Sequence, residues 1–320
     1  MRWDSDLLDG YESTDLALPD ASRMPGEPDD VEVVATLVRR DEPRRSRRAV
    51  LYVHGWNDYF FQTHLADFWA DLGFDFYALD LRRYGRSLRR GHLPGFTPDL
   101  GAYDEELDAA ADLIAGDHDQ LVVVGHSTGG LITTLWTARR PGRVDALVLN
   151  SPWLDLQGSA LVRALGAPVI DALGARSPTA VLRAPDPGHY ARTLHRTLEG
   201  EWDYDLDLKL SPGPPIRVGW LRAVLQGQRK VAGGLGIDVP VLVLASARTS
   251  FARRWSEELR GVDTVLDVEQ IAARAVRLGR SVTVVRVEQG LHDLVLSAAP
   301  VRARVFAEIA RFTRAYVPEP

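Results

Sequence analysis

The chain has 320 residues, 44 acidic against 38 basic for a formal net charge of −6, and no cysteine. Disulfides, thiolate metal sites and cysteine nucleophiles are thereby excluded, and the net negative charge argues against nucleic acid as a partner. Hydrophobic residues make up 45% and charged residues 26%, the balance of a folded globular protein long enough for one large core with an insertion.

Residues 1–30 are polar and acidic and lack the apolar stretch of a signal peptide, and no apolar run reaches bilayer length. The expected location is cytoplasmic. Residues 31–38 read as an early strand pair or hairpin arm. The basic run 39–48, broken by Asp41, Glu42 and Pro43, reads as a solvated turn. Strand-length apolar runs follow at 49–53, 74–79, 121–124, 144–149, 239–244 and 282–287, with helical patterns at 63–72, 102–115 and 131–139 between the earlier ones. Apolar strands alternating with helices predict an α/β class, a mostly parallel doubly wound sheet covered on both faces. Ligands of such sheets bind beyond the carboxyl ends of the strands.

From 154 to 236 the alternation lapses into a helical stretch broken by Pro168, Pro178, Pro185, Pro187 and 211–215. The expected organisation is a core of 1–153 and 237–320 interrupted by a helical cap at 154–236. Trp202, Tyr204, Trp220 and Leu221 are its candidate packing or pocket residues. Only Lys209 and Lys230 are lysines.

The run 122–124 leads straight into Gly125-His126-Ser127-Thr128-Gly129-Gly130, and Leu131 opens a helical pattern. Strand, sharp turn and helix are the context of a nucleophile elbow, so Ser127 is the expected nucleophile. The flanking glycines let strand and helix pass closely, and the helix N-terminus favours negative charge beside the serine. Upstream, 51–53 leads into His54-Gly55-Trp56-Asn57-Asp58. This loop is placed to supply a second oxyanion donor, so the backbone N–H groups of Trp56 and Thr128 form the expected oxyanion hole.

His292 follows the last strand run, where a general base belongs. His64, His92, His118, His189 and His195 follow no late strand, and His54 and His126 read as structural. No acid stands directly after the run 239–244; Glu257, Glu258, Asp263 and Asp267 come next. Asp267-Val268-Glu269-Gln270 resembles a capping box for a helix over 268–278, whereas Asp263 has no such role. Asp155, after the preceding strand, is a further alternative. The preference runs Asp263, then Asp267, then Asp155. No metal-binding spacing and no phosphate-cradling loop occur, so no cofactor is expected. Arg82, Arg83, Arg86, Arg89 and Arg90 offer charge for an anionic head group, but the preferred reading is a solvated, internally paired loop.

With 54–56, 80–87 (Asp-Leu-Arg-Arg-Tyr-Gly-Arg-Ser), 125–130, 262–267 and 290–293 in view, the chain resembles the monoacylglycerol lipase and lysophospholipase-like α/β-hydrolases, often labelled with the serine aminopeptidase domain. The resemblance implies a Ser127–His292–Asp263 triad, since the family's acid stands at the front of a segment like Asp263-Thr264-Val265-Leu266-Asp267. It implies small lipophilic ester substrates such as monoacylglycerols or lysophospholipids. Two departures stand out. The family's oxyanion loop reads His-Gly-x-Gly-Glu-His where this chain has Asn57-Asp58-Tyr59 after Trp56, and residues 246–261 lengthen the path from strand to acid. A peptidase or amidase with the same triad, and a ligand-binding protein on the same fold, are the competing readings.

Overall fold

The computed structural model describes residues 2–42, 46–156, 160–182 and 187–319. In chain order the strands and helices are β1 (Asp4–Ser5), β2 (Tyr11–Ala17), β3 (Val34–Arg40), β4 (Arg48–Val53), α1 (Thr63–Asp71), β5 (Asp75–Asp80), α2 (Asp104–Ala115), β6 (Gln120–His126), α3 (Thr128–Arg139) and β7 (Ala146–Asn150). After them come α4 (Ala160–Arg176), β8 (Val181–Leu182), α5 (His189–Leu194), β9 (Ile216–Arg217), α6 (Val218–Gly233), β10 (Val241–Ser246), α7 (Val268–Ala275), β11 (Val282–Val287) and α8 (Ala299–Tyr316).

Nine strands form one sheet in the order β1-β2-β3-β5-β4-β6-β7-β10-β11. From β5 to β11 all neighbours are parallel; β1, β2 and β3 extend the edge antiparallel. Side chains alternate across the sheet as the pleat requires. Leu51, Val53, Val123, Leu147 and Leu149 join a core with α2, α3 and α7 on one face. Val50, Tyr52, Val122, Val124 and Val148 join a core with α1 and α8 on the other. Being covered on both faces explains why the central strands read as continuous apolar runs.

Between β7 and β10 lie α4, α5, α6 and the small antiparallel pair β8–β9. Helix α6 packs down onto the core: Gly227 lies so close to α3 that a Cβ there would sit 2.9 Å from Leu135. Its Trp220 and Val224 are buried in the same core as α3.

Residues 1–30 carry β1 and β2, unmarked by any apolar run because β2 buries only Tyr11, Thr14 and Leu16. One sequence expectation needs correction. Arg82, Arg83, Arg86 and Arg89 are internally paired, but Arg82 and Arg83 are buried rather than solvated. Arg82 donates to Glu105 and Glu106, Arg83 to Glu27, and Arg86 bridges Asp80 and Asp6 at 2.9 and 2.7 Å. The N-terminal acids Asp6 and Glu27 are thus the counter-charges of this loop. Of the expected basic turn, Pro43, Arg44 and Arg45 lie outside the described residues, as does Pro185. Among the described residues no helix is long and apolar enough to cross a membrane.

Candidate active site

Ser127 sits between the end of β6 and the start of α3 with φ 51° and ψ −115°. A non-glycine residue in that region is strained, and the strain persists only where surroundings over-determine it. They do so here. Ser127 N–H donates to Asn150 O (3.0 Å), and Ser127 O accepts from Trp153 N–H (3.0 Å) and Leu131 N–H (3.3 Å). Glycine is obligatory around it. A Cβ on Gly129 would fall 2.1 Å from His54 O, and one on Gly125 would fall 2.4 Å from Thr133 Oγ1.

His292 lies in the loop after β11. Its Nε2 is 3.0 Å from Ser127 Oγ and its Nδ1 is 2.9 Å from Asp263 Oδ2. Asp263 is fully buried, and its other oxygen accepts the N–H groups of Val265 and Leu266, both at 2.8 Å. That leaves Oδ2 aimed at the histidine. The long excursion after β10 closes through main-chain bonds, Asp263 N–H to Arg248 O and Ser250 N–H to Asp263 O, both 2.9 Å. The loop therefore returns Asp263 to the strand end from which the expected acid is missing.

The structure separates the other carboxylates. Asp267 caps α7, accepting from Glu269 N–H at 3.0 Å. Asp155 pairs with Arg274 at 2.8 Å. Neither stands against His292. The loop after β4 lies directly over the elbow: a Cβ on Gly55 would touch Ser127 Cβ at 3.1 Å, so Trp56 and Thr128, the first residue of α3, flank the serine. His54 accepts from Leu81 N–H through Nε2 (3.0 Å) with Nδ1 2.7 Å from Gly55 O, which places it under the loop.

Several residues beside the site carried no sequence signal. Tyr190 of α5 meets the His292 ring edge-on, 5.4 Å between centroids. Burial pushes its hydroxyl well above the ordinary tyrosine range, so it stays a donor, and it has no hydrogen-bond partner among the described residues. Asp293, next to His292, accepts from Asn150 Nδ2 at 2.7 Å. His126 is buried with its ring 5.0 Å from that of His292, and burial, opposed by Asp293, holds its pKa below 6.5. Asp58, His126 and Asp293 each bring a potential metal-ligating atom within 4.8 Å of the others. The Lys209 ammonium already lies 2.7 Å from Asp58 Oδ1 and supplies a cation there. These groups come from different elements and loops along the chain, so no spacing rule could have united them.

Residues 44–259 match the family model described as Hydrolase_4: Serine aminopeptidase, S33. The chain belongs to this family. Among curated relatives, a monoacylglycerol lipase from Mycolicibacterium smegmatis is 36% identical over 110 residues, 33% of this chain and 38% of that protein. A 1-acylglycerol-3-phosphate O-acyltransferase ABHD5 from Rattus norvegicus is 28% identical over 206 residues, 54% of this chain and 55% of that one. The chain thus spans only about a third to a half of these relatives' lengths. Among solved structures, a soluble variant of monoglyceride lipase from Saccharomyces cerevisiae, in complex with a substrate analogue, superposes with a TM-score of 0.65 at 14% identity, covering 94% of this chain and 98% of that one. The fold is the α/β-hydrolase fold expected from the sequence.

Proposed function

We propose that this member of the serine aminopeptidase-type hydrolases cleaves carboxylic esters through Ser127, His292 and Asp263. The observation that carries the reading is the continuous relay from Ser127 Oγ through both nitrogens of His292 to Asp263, at 3.0 and 2.9 Å. In it, His292 Nε2 removes the hydroxyl proton as Oγ attacks the ester carbonyl. Asp263 holds the imidazole in the tautomer with Nδ1–H and stabilises the imidazolium that forms. The oxyanion is held by the N–H groups of Trp56 and Thr128, the latter at the positive end of α3. His292 then returns its proton to the alcohol leaving group. A water, deprotonated by the same nitrogen, releases the acid from the acyl-enzyme.

The substrate class is a small lipophilic ester of the monoacylglycerol or lysophospholipid kind. The names of relatives support it, as do the aromatic side chains of Trp56, Trp220 and Trp153, whose tilted rings meet in that series with centroids 5.5 and 5.8 Å apart. The segment 154–236 is the cap that selects the leaving group. A fluorophosphonate probe is expected to label the wild type and not Ser127→Ala; equal labelling of both would sink the reading. The family's description favours a second reading, cleavage of aminoacyl amides. Parallel assays with p-nitrophenyl esters and aminoacyl arylamides separate the two.

A further inference from the structure

The loop that carries Trp56 departs from its family pattern at Asn57 and Asp58, where glycine and glutamate stand in the pattern. Both side chains reach the same stretch of the inserted segment, residues 205–213. Asn57 Nδ2 donates to Leu210 O (2.8 Å) and Asn57 Oδ1 accepts from Leu210 N–H (3.0 Å), the two-way pairing of a main-chain ladder. Asp58 Oδ1 accepts from Lys209 Nζ at 2.7 Å. The flanking residues join in: Tyr59 Oη accepts from Asp205 N–H at 2.8 Å, and a Cβ on Gly213 would lie 3.4 Å from the Trp56 ring. Three consecutive residues of the oxyanion loop, Asn57 to Tyr59, are thus bonded to one strap, which also passes beside the Trp56 ring.

Two of these contacts are needed, not incidental. Asn57 has φ 53°, a conformation asparagine tolerates but does not prefer, so its backbone depends on outside support. Asp58 is 1% exposed and its second oxygen has no partner among the described residues. A buried carboxylate without a counter-charge is strongly disfavoured. The cation that bonds it comes from the strap, where the Lys209 ammonium is itself enclosed by the rings of Phe61, Tyr190 and Tyr204 at 5.6 to 5.8 Å.

We infer that Asn57, Asp58 and Lys209 are positioning residues that make the Trp56 oxyanion donor dependent on docking of the 205–213 strap. The inference rests on the reading above, in which the Trp56 N–H faces the reacting carbonyl. With the strap docked, Asn57 holds its left-handed conformation and Asp58 its ion pair, and Trp56 N–H stays aimed. With the strap displaced, both supports go together and the donor is lost. Oxyanion stabilisation and enclosure of the substrate by the cap are thereby one event.

The test compares wild type, Asn57→Gly, Lys209→Met and Lys209→Ala. Each is assayed for p-nitrophenyl butyrate hydrolysis, for the rate of fluorophosphonate labelling at Ser127, and for inhibition by a trifluoromethyl ketone. Asn57→Gly leaves φ 53° accessible but deletes both bonds to Leu210 and frees the backbone to leave that conformation, so the Trp56 N–H is no longer held in one aim. Its kcat is expected to fall by about tenfold or more, up to the roughly 10²–10³ that outright loss of an oxyanion donor costs, with KM nearly unchanged. Labelling slows and the ketone weakens by a similar factor. Ethylammonium restores part of the loss in Lys209→Ala and none in Asn57→Gly. Values of kcat, labelling rate and ketone affinity within about twofold of wild type in Asn57→Gly would overturn the inference, even if the lysine variants fail to fold. A wild type that the probe does not label would instead overturn the reading of Ser127 and take this inference with it.

Discussion

At the scale of single residues, the site is decided by which carboxylate His292 reaches. Asp263, Asp267 and Asp155 are chemically identical, and all lie within a few residues of strand or helix ends. Geometry gives each a distinct partner: His292, the N-terminus of α7 and Arg274. Asp263→Asn is therefore expected to cut kcat by about 10⁴, because the amide favours the wrong imidazole tautomer while the geometry stays intact. Asp155→Asn is expected to keep kcat and to lower the urea midpoint slightly, since it weakens a partly exposed ion pair. Steady-state kinetics on the two variants side by side decide it; a large loss confined to Asp155→Asn would reverse the assignment. The position of His292 was legible in the sequence because it needs only a strand and its following turn. The acid was legible only as a ranking with Asp263 ahead of Asp267 and Asp155, because residues 246–261 loop out before returning, and neither periodicity nor spacing records where a loop comes back.

At the scale of elements, the β6–α3 elbow was the most legible feature. Its signal is local: an apolar strand, glycines at fixed offsets and a helix start. The structure adds why those glycines are irreplaceable. Gly129 passes so close to the main chain of His54 that an added Cβ would meet the carbonyl oxygen at 2.1 Å. Backbone cannot give way as a flexible side chain can. Gly129→Ala is expected to destabilise the protein by about 1–3 kcal/mol and to slow probe labelling, read by urea denaturation and labelling kinetics. Gly166→Ala, in α4 with nothing within 4 Å of the new Cβ, is the contrasting case. There the change removes the entropic penalty of a helical glycine and is expected to stabilise by about 0.5–1 kcal/mol. Equal effects of the two substitutions would refute the close-packing account.

At the scale of the whole molecule, the N-terminal segment is tied to the core by charge. Burial opposes ionisation of Glu27, yet the Arg83 guanidinium and the N–H groups of Leu93 and Met24 hold its carboxyl down to about 2, from an ordinary 4.5. A depressed folded-state pKa contributes stability that is complete above the ordinary value and is lost as pH falls towards the folded one. Glu27→Gln is therefore expected to be less stable than wild type at pH 6, with the gap narrowing by pH 3. Urea midpoints across that range measure it, and a gap constant with pH would count against the ion pair. The sequence by itself determined the parallel sheet, the elbow at Ser127, the loop after β4 and the place of His292, because each is written in residues a few positions apart. Only the tertiary structure decided that Asp263 closes the relay, that Arg82 and Arg83 are buried on acids, that residues 1–30 extend the sheet, and that Lys209 meets Asp58. The side-chain pairings among these join residues from 23 to 151 positions apart. Their partners are chosen by how the packed sheet and its loops bring the chain back on itself, and burial then makes any charge left without a partner too costly to keep.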